Sequence, residues 1–217
     1  TALGGLLTAQ AGIDVRHGVD VSDCIVTEIG ADVTGVRINA NIDNGSTYRS
    51  TITNAKCYST GGTSSKGFQI GETDAHVVNC YTSGAEAGFW VRSIGAQFVN
   101  CRADDGTTGI YIYAAALEAI DNNSFINCGV TGNTNGVYLG VAATGGIDNT
   151  EFVSLSAVGN TSNVVIASAD ATNTRFSGGE IDGSISDSGT GTRALNTLGL
   201  GSRLISSGSD PTLEIRN

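Results

Sequence analysis

The stretch from Val77 to Ile112 reads VVNCYTSGAEAGFWVRSIGAQFVNCRADDGTTGIYI, and it contains the same short pattern twice. An apolar pair is followed by Asn-Cys, then by a loop, and then by glycine, an apolar residue, any residue and a second apolar residue. A chain that repeats itself every twenty-odd residues usually stacks copies of one small structural unit. The stretch therefore predicts a repeat protein in which each copy contributes a few short strands.

The pattern continues on both sides of this stretch and forms two columns. The cysteine column has four copies with cysteine and a fifth with Leu155 in its place, at spacings of 21 to 27 residues: NAKCYSTGG, VVNCYTSGA, FVNCRADDG, FINCGVTGN and FVSLSAVGN. The glycine column follows in each copy as GVRI, GFQI, GFWV, GIYI, GVYL and NVVI, beginning at Gly35, Gly67, Gly88, Gly109, Gly136 and Asn163. Two columns in phase are improbable by chance.

The composition favours short strands joined by tight turns. The 217 residues include 31 glycines and a single proline, and 40% of them are apolar, which is enough for a sizeable core. Helices of about ten residues do not fit between the columns, which disfavours alternating strands and helices. We therefore predict an all-β fold, a right-handed parallel β-helix solenoid of about six to seven coils with terminal caps. The predicted organisation is an N-terminal cap or linker at 1–17, the β-helix at 18–183, and a C-terminal cap, linker or assembly segment at 184–217.

Side chains alternate between the two faces of a strand, so each copy predicts what lies inside. Cys80, Cys101 and Cys128 are predicted to lie directly over one another inside the coil. The five cysteines leave one unpaired in any disulfide scheme, and neither a Cys-x-x-Cys pair nor clustered histidines suggest a metal site. We interpret the cysteines as buried free thiols and predict no metal and no cofactor.

The charge of the chain excludes one class of partner. The formal net charge is −10 at pH 7 and the sequence pI is about 4.4, whereas binding to nucleic-acid phosphates needs clustered lysine and arginine. The sequence contains no run of about 18 or more apolar residues, which a membrane-spanning helix would need. We therefore expect neither nucleic-acid binding nor membrane insertion. The chain is acidic and poor in lysine, with Lys56 and Lys66 as its only lysines, and this composition is similar to that of proteins of salt-loving organisms. An ordinary acidic extracellular or virion protein is the alternative.

From about Gly18 to Gly183, the Asn-Cys and Gly-x-x-x columns resemble those of the pectate-lyase-like β-helix superfamily, which includes viral tailspikes and tail fibres. The resemblance implies a homo-oligomer, with a trimer favoured, that associates with other virion proteins at a virion surface or outside the cell. It also implies that the asparagines at Asn79, Asn100 and Asn127 lie at a bend between strands. The basic and calcium-binding residues of the lyases have no matching positions in this sequence, and a shared fold does not carry an activity with it.

The outward positions of the glycine column carry aromatic residues. Trp90, Tyr111 and Tyr138 are predicted to form consecutive steps of an exposed ladder, with Arg92 and Tyr113 in the next outward column. Aromatic rings beside polar donors suit a glycan, because a ring contacts the apolar face of a pyranose while polar groups bind its hydroxyls. The same residue types also anchor subunit contacts, so an interface or plain surface is the alternative.

Catalysis on a polysaccharide needs two carboxylates in register, or a carboxylate with Lys, Arg or Tyr. Glu118, Asp121 and Asp148 follow the aromatic strands and are candidates, but no catalytic residue is assigned, because surface carboxylates of an acidic protein usually serve only solvation. We predict a non-enzymatic attachment protein of a virion surface, as a tail fibre, spike or capsid projection, that recognises a host cell-surface glycan. A glycan-degrading spike enzyme, either hydrolase or lyase, and a structural stalk without a ligand are the alternatives.

Overall fold

A computed structural model describes residues 10–15, 18–38, 49–142, 144–195, 197–206 and 212–214. Within these ranges the chain is all-β without a helix, and parallel strands stack as a solenoid of about seven turns, which confirms the predicted fold class. The strands are β1 (Gln10–Val15), β2 (Asp20–Ser22), β3 (Ile25–Ile29), β4 (Val33–Ile38), β5 (Thr51–Thr53), β6 (Lys56–Ser59), β7 (Lys66–Ile70), β8 (His76–Val78), β9 (Tyr81–Ser83), β10 (Ala87–Val91), β11 (Gln97–Val99), β12 (Arg102–Asp104), β13 (Thr108–Ala114), β14 (Ala119–Asp121), β15 (Ser124–Ile126), β16 (Gly129–Thr131), β17 (Asn135–Val141), β18 (Gly146–Asp148), β19 (Glu151–Val158), β20 (Ser162–Ile166), β21 (Ala171–Thr172), β22 (Arg175–Asp187), β23 (Arg193–Leu195), β24 (Leu198–Ser206) and β25 (Thr212–Glu214).

The strands lie on three faces of the solenoid. The first face consists of β2, β5, β8, β11, β15, the starts of β19 and β22, β23 and β25. The second face consists of β3, β6, β9, β12, β16, the end of β19 and the middle of β22. The third face consists of β1, β4, β7, β10, β13, β17, β20, the end of β22 and β24. Strands β14, β18 and β21 form a separate short sheet where the chain passes from the third face to the first. Every described pairing is parallel, so each turn satisfies the backbone groups of the next.

The inside of the first face is a stack of phenylalanine rings. Neighbouring ring centroids lie 4.5, 4.8 and 4.9 Å apart, with planes inclined by 6 to 13°, along Phe98, Phe125, Phe152 and Phe176. On the third face, Phe68 and Phe89 stack at 5.0 Å, and Phe89 meets Phe98 edge-on at 5.9 Å. Each fully buried ring contributes about 1.5–3 kcal/mol of hydrophobic stabilisation. The repeat of phenylalanine at one phase therefore holds successive turns together.

The cysteine column lies inside the solenoid, at the start of the second face. Cys80, Cys101 and Cys128 occupy equivalent positions in successive turns, because the residues that follow them pair in register. All three are at most 2% exposed, and all five cysteines are free thiols. Burial raises the pKa of the Cys57 and Cys101 thiols, so these groups stay protonated. The predicted stack of Cys80, Cys101 and Cys128 as buried free thiols is confirmed, whereas Cys24 is a free thiol that is only half-buried.

The first copy of the cysteine column differs from the sequence alignment by two residues. Ala55, and not Cys57, takes the position equivalent to Cys80, because the register pairs Cys57 with Thr82. Cys24 takes the same position one turn earlier. The placement of Cys57 in the column was therefore wrong. A shift of two residues keeps a side chain on the same face of a strand, so Cys57 is nevertheless buried.

The bend between the first and second faces has the same backbone conformation in seven successive turns. Its residues have φ between 51° and 66°: Asp23, Asn54, Asn79, Asn100, Asn127, Ser154 and Gly178. Asparagine and glycine tolerate this left-handed region better than most residues. The side-chain amide of Asn79 donates to Asn54 at 3.3 Å, and that of Asn100 donates to Asn79 at 3.2 Å. The expected bend is thus observed, and the ladder of hydrogen-bonded asparagine side chains already includes Asn54, one turn before Asn79.

The glycine column marks a place where successive turns approach too closely for a side chain. A Cβ on Gly88 would lie 2.6 Å from the carbonyl oxygen of Gly109, and a Cβ on Gly109 would lie 2.7 Å from that of Gly136. Contacts this short force the backbone apart. The stacking of turns therefore favours glycine at Gly35, Gly67, Gly88, Gly109 and Gly136, where a Cβ would meet a neighbouring atom at less than 3 Å, and the column departs from glycine at Asn163.

Parallel pairing extends beyond residues 18–183 at both ends. Strand β1 pairs with β4, β24 pairs with β22, and β25 pairs with β23. Residues 1–9 and 16–17 of the predicted N-terminal cap and residues 39–48 of the long connection after β4 lie outside the described residues. The roles of the terminal segments as caps, linkers or assembly segments stay predictions.

Candidate functional site

The candidate site lies on the outside of the third face. Trp90 pairs with Tyr111, and Tyr111 pairs with Tyr138, so the three rings occupy consecutive turns of one outward column. Each ring is half-buried, whereas Phe89 and Val91 on either side of Trp90 are buried, which is the alternation of a strand with one side inward. The structure therefore brings together the three aromatic residues selected from the sequence.

An open pocket of about 450 Å³ lies along this column. A second outward column runs beside the rings and consists of the residues that immediately precede the glycine column: Lys66, Ala87, Thr108 and Asn135. Ala87 and Thr108 are small and only 5% and 8% exposed, so they form the floor of the pocket between longer side chains. The loops before these strands complete its lining with Ser64, Ser65, Glu86 and Thr107.

The ring of Trp90 contacts two cations. Lys66 Nζ lies 4.4 Å from the ring centroid, and Arg92 Cζ lies 5.5 Å from it. Such contacts stabilise by about 0.5–1 kcal/mol at exposed sites and by about 2 kcal/mol when desolvated. Trp90 Nε1 is shielded and has no hydrogen-bond acceptor among the described residues. Trp90 therefore supports Lys66 at the pocket, and its ring is only partly free for stacking on a sugar.

The tyrosines form an irregular wall of the pocket. The rings of Tyr111 and Tyr138 meet edge-on, with centroids 5.5 Å apart and planes inclined by 73°. Tyr113 lies 5.7 Å from Tyr111 and is beside the pocket, not in its lining. A Cβ on Gly140 would lie 2.7 Å from a ring carbon of Tyr138, so glycine leaves room for that ring. Burial raises the pKa of Tyr111, so its hydroxyl stays protonated and can donate a hydrogen bond.

Polar groups of opposite charge lie at one end of the pocket. Lys66 Nζ donates a hydrogen bond to the carbonyl oxygen of Ser64 at 3.2 Å. Burial lowers the pKa of Lys66, which indicates an ammonium that has lost part of its water. Glu86 is exposed, and one oxygen of its carboxylate accepts the N–H of Ser64. With the hydroxyls and the Asn135 amide, the pocket offers both donors and acceptors to a polar ligand.

Arg92 lies outside this pocket and is paired with a candidate carboxylate. Arg92 Nε donates to Glu118 Oε2 at 3.1 Å, and Arg92 Nη2 donates to the other carboxylate oxygen. The N–H of Ala115 donates to Glu118 Oε2 at 2.9 Å. Burial alone would raise the pKa of Glu118, but these hydrogen bonds outweigh it and lower the pKa. The pair borders a smaller cavity of about 250 Å³, beside Ile94 and Leu117, which is 88% exposed. Glu118 is thus held by structural partners.

The other two candidate carboxylates are neighbours in the short sheet. Asp121 of β14 pairs in register with Asp148 of β18. Asp148 accepts hydrogen bonds from Thr172 at 2.6 Å and from Asn173 and Asn149 at 2.8 Å each. The Thr172 and Asn173 bonds lower the pKa of Asp148, whereas burial and the nearby Asp148 charge raise the pKa of Asp121. The two carboxyl groups therefore differ in proton affinity, but neither lines the aromatic pocket.

A stripe of aliphatic side chains faces outward on the first face. Consecutive turns pair these residues in register, and each is half-buried: Val78, Val99, Ile126 and Val153. At a spacing of roughly 4.8 Å per turn, the stripe is continuous along the solenoid axis. Continuous exposed apolar surface of this kind usually marks a contact with another molecule. We call this surface the aliphatic stripe.

The sequence interpretation missed several residues of the pocket. Strand alternation gave the wrong signal for Lys66, Ala87, Thr108 and Asn135, because each lies two residues before an inward side chain and would share its face. The column glycine breaks the alternation, since it and the residue after it both face inward, and the residue before it therefore lines the pocket. The contribution of Glu86 had no signal in the sequence, because it depends on a loop conformation. The aliphatic stripe was also readable, as the apolar residue just before each bend.

Comparisons with models of known protein families, with curated proteins and with solved structures gave no match. Across the part of the chain that the structure describes, no group of three or more His, Cys, Asp or Glu side chains could hold a metal ion. Over the same residues, no helix is long and apolar enough to cross a membrane. Fold and site define the chain as a parallel β-solenoid with an aromatic pocket on its outer surface. Its membership of the pectate-lyase-like superfamily stays a prediction.

Proposed function

We propose that this chain is a non-enzymatic attachment module of a virion surface, in a tail fibre, spike or capsid projection, and that it binds a host glycan in the pocket beside Trp90. The observation that carries the proposal is the composition of that pocket. Three aromatic residues in register line it together with an ammonium, a carboxylate, hydroxyls and an amide. Carbohydrate sites need this combination, because a sugar has both apolar faces and hydroxyls.

The fold supports this proposal because it presents the pocket on rigid elements. The floor and the aromatic wall belong to β7, β10, β13 and β17, which pair over consecutive turns. The phenylalanine stack and the buried aliphatic side chains hold these turns from inside. Side chains on such strands keep their spacing without a ligand, so binding costs little conformational entropy.

A matched pair of double variants tests the glycan site. We expect Trp90→Ala with Tyr111→Ala to weaken binding to a host surface polysaccharide by at least about tenfold, since about 1.4 kcal/mol of lost contact suffices for that factor. The control is Tyr58→Ala with Tyr81→Ala, which removes an outward aromatic pair with centroids 5.7 Å apart on the second face. Calorimetric titration measures both. Equal weakening by the two double variants, or no binding by the wild type to any polysaccharide tested, would contradict the proposal.

We further propose that copies of the chain associate through the aliphatic stripe, with a trimer as the expected order. The stripe is apolar over four turns, and a second copy presents side chains at the same pitch, so the two sets can interdigitate. Light scattering measures the outcome: Val99→Lys should shift the protein toward the monomer. Gln97→Lys, an exposed outward position of the same strand, should leave assembly unchanged. A wild-type protein that stays monomeric at high concentration would contradict the proposed association.

A glycan-degrading enzyme is the second candidate, and one observation favours it. Asp121 and Asp148 lie in register with pKa values displaced in opposite directions, which is how environments assign the roles of acid and base to two carboxyl groups. The pair lies away from the aromatic pocket, however, and Asp148 already accepts three hydrogen bonds. Incubation with the bound polysaccharide separates the candidates. Shortened chains that disappear with Asp121→Asn would establish the enzyme, whereas intact polymer supports the attachment module.

A further inference from the structure

We propose that the glycan bound beside Trp90 is an acidic one, and that Lys66 pairs with a carboxylate of its sugar. This inference rests on the proposed function and specifies its ligand class. Its basis is the position of a single ammonium inside the pocket, over the Trp90 ring, in a chain whose net charge is otherwise strongly negative.

Lys66 has unused hydrogen-bonding capacity at the pocket. An ammonium has three N–H donors, and the hydrogen bond described for Lys66 is that to the Ser64 carbonyl oxygen at 3.2 Å. The Trp90 ring holds the ammonium from another side at 4.4 Å. A partly desolvated cation with spare donors is stabilised most by an anion, because charge-assisted hydrogen bonds are roughly twice as strong as neutral ones.

No other charged group among the described residues forms an ion pair with Lys66, although the charges of Glu86 and Asp32 act on it at longer range. Arg92, the second cation on the Trp90 ring, forms an ion pair with Glu118 through two nitrogen atoms. Glu86 is exposed at the rim of the pocket, and one of its oxygens accepts the Ser64 N–H. Water screens an exposed carboxylate more effectively than a half-buried ammonium. Lys66 is therefore the charge that a ligand inside the pocket meets first.

The net charge of the protein opposes the approach of an acidic polymer over long distances. This repulsion is screened within about 8–10 Å at ordinary ionic strength, and within about 3 Å at about 1 M salt. The contact between Lys66 and a carboxylate is direct and is screened less. Salt therefore removes the repulsion before it removes the contact, so the acidic glycan should bind well at high ionic strength.

The experiment compares each acidic polysaccharide with the same polymer after its carboxyl groups have been reduced to hydroxymethyl groups. The panel consists of hyaluronan, alginate and polysialic acid with their reduced forms, together with a neutral glucan. Binding is measured at high salt for wild type, Lys66→Gln, Lys66→Arg and Lys56→Gln. Lys56→Gln is the matched control, because it removes the same charge from an exposed position on the second face.

We expect at least one acidic polymer to bind wild type about tenfold or more tightly than its reduced form. A tenfold difference in affinity is about what one charge-assisted hydrogen bond contributes. Lys66→Gln should abolish this preference, Lys66→Arg should keep most of it, and Lys56→Gln should bind as wild type does. Binding of neutral and reduced polymers as tightly as acidic ones overturns the inference while the glycan site stands. Absence of binding to every polymer, neutral and acidic, counts against both. A preference that Lys56→Gln removes as fully as Lys66→Gln also overturns it.

Discussion

The strands of the third face carry an inner and an outer column that differ in regularity. Inside, every turn contributes a large apolar side chain, and the register aligns them without interruption: Val36, Phe68, Phe89, Ile110, Val137, Val164 and Ile185. Outside, the same strands present a different residue type at nearly every turn: Arg37, Gln69, Trp90, Tyr111, Tyr138, Val165 and Ser186. The two columns share one backbone and one spacing.

The difference shows which physical requirement acts on each column. An inner side chain must fill the space between its neighbours above and below, so its size and polarity are fixed by close packing. An outer side chain has water on one side and can vary without loss of the fold. The aromatic pocket is therefore a local departure on a regular scaffold, and changes inside and outside should have different consequences.

The largest expected effect comes from truncation of the phenylalanine stack. Phe125→Ala removes a ring that stacks on Phe98 at 4.5 Å and on Phe152 at 4.8 Å. We expect the free energy of unfolding to fall by about 3–5 kcal/mol, as for other large-to-small core substitutions. Tyr138→Ala, on the outer column, should cost about 1 kcal/mol or less. Phe125 lies inside the first face, so the pair compares an inner with an outer side chain. Denaturant titration measures both, and equal losses would contradict the distinction between inner and outer side chains.

A smaller loss is expected at the glycine column. In Gly109→Ala the new Cβ would lie 2.7 Å from the Gly136 carbonyl oxygen and 2.6 Å from a methyl group of Val130. Overpacking of this kind costs about 1–3 kcal/mol. Gly129→Ala is the matched control, because its nearest neighbour atom would lie 3.7 Å away. Thermal unfolding should separate the two variants. A stable Gly109→Ala would show that the turns do not stack as closely as described.

The bend should respond to backbone conformation more than to side-chain chemistry. Asn100 has φ of 53°, and its amide donates to Asn79 at 3.2 Å. Asn100→Ala and Asn100→Gly both remove this hydrogen bond, but only alanine is strained at positive φ, by about 1–2 kcal/mol. We therefore expect the glycine variant to be the more stable by about 1 kcal/mol. Equal melting temperatures would mean that the bend relaxes without cost.

The smallest effects concern the paired carboxyl groups of the short sheet, and they have opposite signs. Hydrogen bonds from Thr172 and Asn173 lower the pKa of Asp148, so its contribution to stability is present at neutral pH and is lost as pH falls through the lowered value. Burial and the charge of Asp148 raise the pKa of Asp121. The ionised Asp121 carboxylate therefore destabilises the folded protein at neutral pH, and its protonation removes this destabilisation as pH falls. Asp148→Asn should lower the melting temperature at pH 7, and Asp121→Asn should raise it.

The pH dependence of the melting temperature distinguishes Asp121→Asn from Asp148→Asn further. As pH falls, the effect of Asp121→Asn should fade first, because the raised pKa is reached before the ordinary carboxyl value of about 3.9. The effect of Asp148→Asn should persist to lower pH. Melting temperatures measured from neutral to acidic pH give both profiles, and the same sign for both variants would refute the opposed pKa shifts.

The sequence predicted the inside of the molecule better than the outside. The buried cysteines and the apolar pattern were readable because side-chain alternation makes one face of each strand uniform. The position of Cys57 was misjudged because a shift of two residues preserves that alternation, and only the paired backbone distinguishes the registers. The aromatic column was readable, but the pocket also depends on Glu86 and on how Lys66 lies over the ring, which are properties of loops and side-chain conformations.

The central claim is that ligand binds at the outer column beside Trp90. Trp90 is the only tryptophan of the chain, so its fluorescence reports on this pocket alone. In a titration with a polysaccharide that the protein binds by calorimetry, we expect a saturable change in Trp90 emission with the same dissociation constant. Calorimetric binding that leaves the emission of Trp90 unchanged at saturation would place the ligand elsewhere and contradict the claim.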